Sequence, residues 1–158
     1  MKSLEIEINS GIVIADPCYS LNEWCVIKLD NVLRGKWICS EPEKINEVST
    51  SLVIKHELCP KDAEFDKFIG WVCVDSGQAG FFDMEYYAKN LSGIETDEKK
   101  NPGNAYSKVC KITLSRPCWG ALDNSCIVSK SGYGDGTYEV FGITDKRGDI
   151  IGLKINFD

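Results

Sequence analysis

The 158-residue chain holds one histidine, His56, and its eight cysteines contain no C-x-x-C pair. A zinc site of familiar spacing is therefore excluded. No apolar run approaches the roughly 20 residues that a membrane helix needs; the longest, at 11–15 and 68–74, are far too short. The lysines are scattered and the net charge is −6. An electrostatic footprint for DNA or RNA phosphates is thus missing, and no nucleic-acid partner is expected. The opening Met-Lys-Ser-Leu-Glu-Ile-Glu-Ile alternates polar and apolar residues and lacks the continuous apolar stretch of a secretory signal. The chain is read as starting directly with folded structure, in a cytoplasmic, reducing setting. There is no internal repeat and no low-complexity tract.

What is present is an ordinary globular composition, 43% hydrophobic, in a length typical of one domain. The acidic balance serves solubility first, and a cationic partner surface second. Without a secretion signal, the cysteines are expected as free thiols, several of them small buried hydrophobes such as Cys39 and Cys73. Period-2 patterning dominates. Strands are predicted at 4–8, 11–15, 26–29, 36–39, 51–56, 70–74, 108–114, 125–130, 137–143 and 150–156. Turn residues separate them, and the Lys-Arg-Gly-Asp at 146–149 makes a compact hairpin between the last two. Helix is expected only locally: over 84–91, with Asp83 as N-cap and Gly93 as stop, and over 61–67 after Pro60. Residues 92–106 read as a mobile surface loop. The fold class is all-β or β-dominated α+β: antiparallel sheets, as a sandwich or partly open barrel, with one or two short helices, in a single domain over 1–158.

Three segments combine turn residues, carboxylates and aromatics more densely than plain loops require. In the first, 11–19, Asp16 ends an apolar strand and Pro17 holds it extended at the sheet rim. It could ligate a metal or accept a ligand hydroxyl, or cap the following turn. In the second, 74–83, Asp75, Gln78 and Asp83 surround a turn that Gly77 and Gly80 open to close approach. A hard cation would suit such oxygens, although the order departs from a calcium loop and Asp83 already has a capping role. In the third, 129–138, Gly132, Gly134 and Gly136 surround Asp135. The run leads into a strand and carries no Gly-Lys-Ser/Thr, which excludes a Walker loop and a dinucleotide fingerprint. A sharp turn or bulge is the more economical reading. Exposure of Tyr133 or Trp119 would signal a binding face.

Taken together, these segments resemble the domain of unknown function 4241 family of bacterial and bacteriophage proteins. The resemblance rests on Gly11 with Asp16 and Pro17, on Val74 to Gly77 with Asp83, and on Ser131 to Tyr138 followed by a two-stranded ending. It implies a β-rich fold, marks Asp16, Asp75, Asp83 and Asp135, and implies no activity.

The leading functional expectation is a non-catalytic binding or interaction module, phage-encoded or of immunity type, that inhibits a partner protein through its acidic surface. It needs no cofactor. Its ligand-binding candidates are Asp16, Asp75, Gln78, Asp83, Tyr133 and Asp135. One alternative is a metal-dependent hydrolase in which Asp16, Asp75, Asp83 and Asp135 converge on a cation that activates water. Another is a protein that sequesters a nucleotide-like ligand in an aromatic pocket. Oligomeric state stays open, since an edge strand could pair across a two-fold axis.

Overall fold

The structure, a computed structural model, describes residues 2–93 and 103–158. In chain order these form β1 (Ser3–Ile8), β2 (Ile12–Ala15), β3 (Ile27–Leu29), β4 (Gly35–Ser40), β5 (Lys44–Ile45), β6 (Val48–Ser49), β7 (Ser51–His56), β8 (Lys67–Val74) and β9 (Gln78–Asp83). Helices α1 (Met84–Asn90) and α2 (Ala105–Thr113) follow, then β10 (Trp119–Leu122), β11 (Cys126–Lys130), β12 (Gly136–Thr144) and β13 (Ile150–Asn156). Strands β1-β4-β7-β13-β12-β8 make a six-stranded sheet, β10-β11-β9-β2-β3 a five-stranded one, and β5-β6 a small ribbon. Every named pairing is antiparallel, and the sheets do not close into a barrel.

Alternation explains the layering. In β4, β7 and β13 the inward residues Trp37, Cys39, Leu52, Ile54, Leu153 and Ile155 are buried, and they meet Ile12, Ile14, Phe81 and Ile127 of the five-stranded sheet in one core. A second core lies behind that sheet, where Val13, Phe82 and Val128 meet Tyr87 of α1 and Val109 of α2. Strands β2 and β9 are consequently buried along their whole length, covered by a sheet on one face and helices on the other. All eight cysteines carry free thiols.

Two expected elements are different in the molecule. Residues 108–113 of the predicted strand 108–114 belong instead to α2, with Leu114 as its C-cap. Asn104 caps that helix by accepting the Ser107 N–H at 2.8 Å. Ala105, Tyr106, Val109 and Ile112 form one stripe against the five-stranded sheet. That tertiary stripe overrides the β-branched composition that suggested a strand. Residues 61–67 form no helix: a single turn closes where the Ala63 N–H bonds the Pro60 carbonyl, and β8 begins at Lys67. Seven residues with no buried face cannot repay helix nucleation. By contrast, the helix at Met84 starts as expected, with the Asp83 carboxylate accepting the Tyr86 N–H. Of the expected loop at 92–106, residues 94–102 lie outside the described residues, and 105–106 open α2. Strands β9 and β10 carry Gly80 and Gly120, which mask them in the sequence pattern.

Candidate functional site

The three marked segments meet at one end of the five-stranded sheet. Asp16, fully buried, directly follows β2. Its Oδ2 accepts the backbone N–H groups of Asp75 at 2.8 Å and Ser76 at 2.5 Å. Its Oδ1 accepts the Ser76 hydroxyl at 2.6 Å and the Cys18 N–H at 3.0 Å. Four donors on one carboxylate pin the β8–β9 turn to the end of β2. Tyr87 ties the same corner from the helical side, its hydroxyl donating to the carbonyls of Asp16 and Tyr19.

Gln78 extends this network towards α2. Its Nε2 donates to Ser76 Oγ at 3.0 Å and to Cys110 Sγ at 3.4 Å, and its Oε1 accepts from the Thr113 hydroxyl at 2.6 Å. The third segment joins where the Ser131 N–H bonds the Gly77 carbonyl at 3.1 Å. That loop turns back on itself through Gly132, whose φ of +64° suits glycine and whose added Cβ would press on Phe157 and the Ser49 carbonyl. Tyr138 and Ser131 both donate to the Gly134 carbonyl.

These walls enclose a cleft of about 320 Å³, bounded by Gln78, Cys110, Thr113 and Lys130, with Leu114 and Tyr133 at its mouth. Leu114 is 76% exposed and Tyr133 83%, unusual for large apolar side chains that line one opening. Burial first, and then the neighbouring Asp16 carboxylate, push the Cys18 thiol well above its ordinary value. Burial likewise pushes the Tyr106 phenol up to about 12, against an opposing hydrogen bond with Ser76. Both groups stay protonated at neutral pH.

Asp16, Asp75 and Gln78 are thus brought together, with Tyr133 across the cleft. Pairing of Gly136 with Val74 carries the exposed Asp135 to the neighbourhood of the exposed Asp75. Asp83 is elsewhere. It pairs with Ile12, four residues before Asp16, which puts it roughly 13 Å along the ladder. There its Oδ1 accepts from the Asn9 and Ser10 amides and the Ser10 hydroxyl. The four aspartates therefore do not converge, and among the described residues no group of three or more His, Cys, Asp or Glu could hold a metal ion. Cys110, Thr113 and Leu114 escaped notice because 108–114 read as a strand; helical spacing would have put Tyr106, Cys110 and Thr113 on one stripe. Lys130 and Ser76 lay inside or beside the marked segments without standing out.

A family model described as protein of unknown function (DUF4241) matches residues 38–155. The chain belongs to the DUF4241 family. No match is found among curated proteins or among solved structures. The region shared with other DUF4241 proteins contains Asp75, Gln78, Asp83, Tyr133 and Asp135, whereas Asp16 precedes it. In this DUF4241 chain the shared turn at 75–77 is held by a residue from outside the matched region. No helix among the described residues is long and apolar enough to cross a membrane.

Proposed function

We propose that this protein is a non-catalytic binding module that engages a partner protein at the three-segment junction, with Tyr133 and Leu114 as apolar anchors and Asp75 and Asp135 as rim charges. The observation that carries the reading is the pair of solvent-facing apolar side chains at the mouth of a braced cleft. Large exposed side chains on a rigid frame are what interface hot spots require, because little freedom is lost on binding. The buried polar groups beneath them are engaged internally, Asp16 with turn amides and Gln78 with side chains of the turn and α2, which supplies preorganisation. With a net charge of −6 and two exposed carboxylates beside the anchors, the fitting partner presents a basic surface. Inhibition of that partner, in the manner of an immunity or phage-encoded blocking protein, is the biological form this binding would take.

The test is site-specific photocrosslinking in the producing cells, with a benzophenone side chain at position 133 or, as control, at position 28. A discrete adduct from 133 alone, abolished by Asp75→Lys with Asp135→Lys, is the expected result. Equal labelling from both positions, or none from 133, refutes the reading. A metal-dependent rise in thermal stability that Asp75→Asn removes would replace it with a cation-binding reading of the junction, since a cation at about 100 times its Kd adds about 2.7 kcal/mol.

A further inference from the structure

A second cleft, of about 570 Å³, lies on the outer face of the six-stranded sheet, away from the junction. Its floor follows from register. Ile38 of β4 pairs with Lys55 of β7, and Val53 of β7 pairs with Lys154 of β13, so these four side chains share the face opposite the buried Trp37, Ile54 and Leu153. Phe65 closes one side, with Lys55 Nζ lying 5.5 Å from its ring centroid. Lys61 stands at the same wall.

The lysines of this cleft form no ion pair with any described residue. Among the described residues the ion pair is Lys36 with Glu5, at 3.7 Å, so Lys55, Lys61 and Lys154 all lack a carboxylate within 4.0 Å. That is unexpected in a chain whose acids outnumber its bases 24 to 18. Lys55 and Lys154 are half-buried on adjacent strands, offset by two residues along the ladder, which places their stems at the diagonal spacing of about 7–8 Å. Two like charges at that spacing oppose each other across a partly desolvated floor. Glu41, Glu43 and Glu57 are exposed at the rim and leave the floor basic. Around the ammonium groups the lining is apolar: Ile38, Val53 and the Phe65 ring.

We propose that this cleft is a binding site for a small organic anion, a carboxylate or phosphate ester with an apolar or aromatic body. The anionic group sits between Lys55 and Lys154, and the body covers Ile38, Val53 and Phe65. The volume is in the range of small-molecule sites, and the pairing of a few charged groups with apolar walls is the composition such sites have. The rim glutamates lower the affinity for either anion without abolishing it.

The experiment is a ¹⁵N–¹H correlation titration of the whole chain with phenyl phosphate and, separately, phenylacetate, with inorganic phosphate and benzyl alcohol as the two halves of the ligand. Saturable shifts confined to amides of β4, β7 and β13 are expected with one or both aromatic anions, at least tenfold weaker with either half. Saturation by phenyl phosphate alone identifies the phosphate source, by phenylacetate alone the carboxylate. Lys55→Met with Lys154→Met, checked for an unchanged urea midpoint, should weaken binding at least tenfold, and Lys55→Arg should preserve it. Glu41→Gln with Glu57→Gln should tighten it several-fold. Equal binding of benzyl alcohol, indifference to the double Met variant, or shifts scattered over the molecule would overturn the proposal.

Discussion

Asp16 carries more of the junction than any other side chain, and its role is settled by counting donors. A carboxylate can accept from four donors, and here all four sites are filled by two turn amides, one hydroxyl and the Cys18 amide. Replacing it by asparagine keeps the shape but puts an NH₂ group against N–H donors. Hydrogen bonds to a charged acceptor contribute about 1.5–3 kcal/mol each, and a buried donor left unpaired costs a similar amount. Asp16→Asn should therefore lower stability by about 3 kcal/mol, read as a fall in the urea midpoint. Asp75→Asn and Asp135→Asn, at exposed positions, should each stay within about 0.5 kcal/mol of the parent. A neutral Asp16→Asn would show that these four bonds add nothing net to stability. The Asp-Pro step marked Asp16 from sequence, because proline fixes the backbone there. The local cap on the Cys18 amide was legible as the capping of the following turn, but the other partners, Asp75 and Ser76, lie 59 and 60 residues away and become neighbours only through pairing of β2 with β9.

At the scale of elements, β9 and α2 show where local pattern gives out. Residues 78–83 include Gly80 and adjoin the Ser-Gly turn, so they read as a loop, yet they form a strand buried along its whole length. Gly80 is required there by closeness: an added Cβ would lie 2.3 Å from the Ile127 carbonyl oxygen and 2.8 Å from Val128 Cγ1. The first of those atoms is backbone in a paired strand and cannot swing away. Gly80→Ala should thus cost about 2–3 kcal/mol, at the upper end for overpacking, and lower the thermal midpoint measured by calorimetry. Strands such as β7 and β13 were legible because one face meets the core and the other solvent, so period-2 alternation survives. Helix α2 was not, since its β-branched residues imitate a strand and the stripe it buries exists only once β10 and β11 are in place. Its link to the junction is equally checkable. Thr113→Val removes the hydroxyl that Gln78 Oε1 accepts, at nearly equal helix propensity. About 1–3 kcal/mol should be lost, and Cys110, whose sulfur accepts from the same Gln78 amide, should react faster with a maleimide probe as that amide loosens.

Over the whole molecule, the free thiols and phenols link stability to alkaline pH. Burial is the first cause of each shift: Cys25 is pushed up to about 11, Cys39 and Cys126 to about 12 from an ordinary value of 9.0, and Tyr106 to about 12 from 10.0. Above pH 9 the unfolded chain sheds these protons while the folded chain keeps them. Fewer protons are then bound in the unfolded state, so stability falls as pH rises. The contribution of each thiol is complete below its ordinary value of 9.0 and is lost progressively as pH climbs through 11 to 12. Under reducing conditions the urea midpoint should be level from about pH 7 to about pH 8.5 and decline steeply beyond pH 9. Cys126→Ala removes one titrating group from the second core. It should lower the midpoint at neutral pH through lost packing and make the alkaline decline shallower, so that the two curves approach each other as pH rises. Parallel curves would show that Cys126 ionises in the fold as it does in the open chain, against what its burial on β11, beside Phe82 of β9 in the second core, requires.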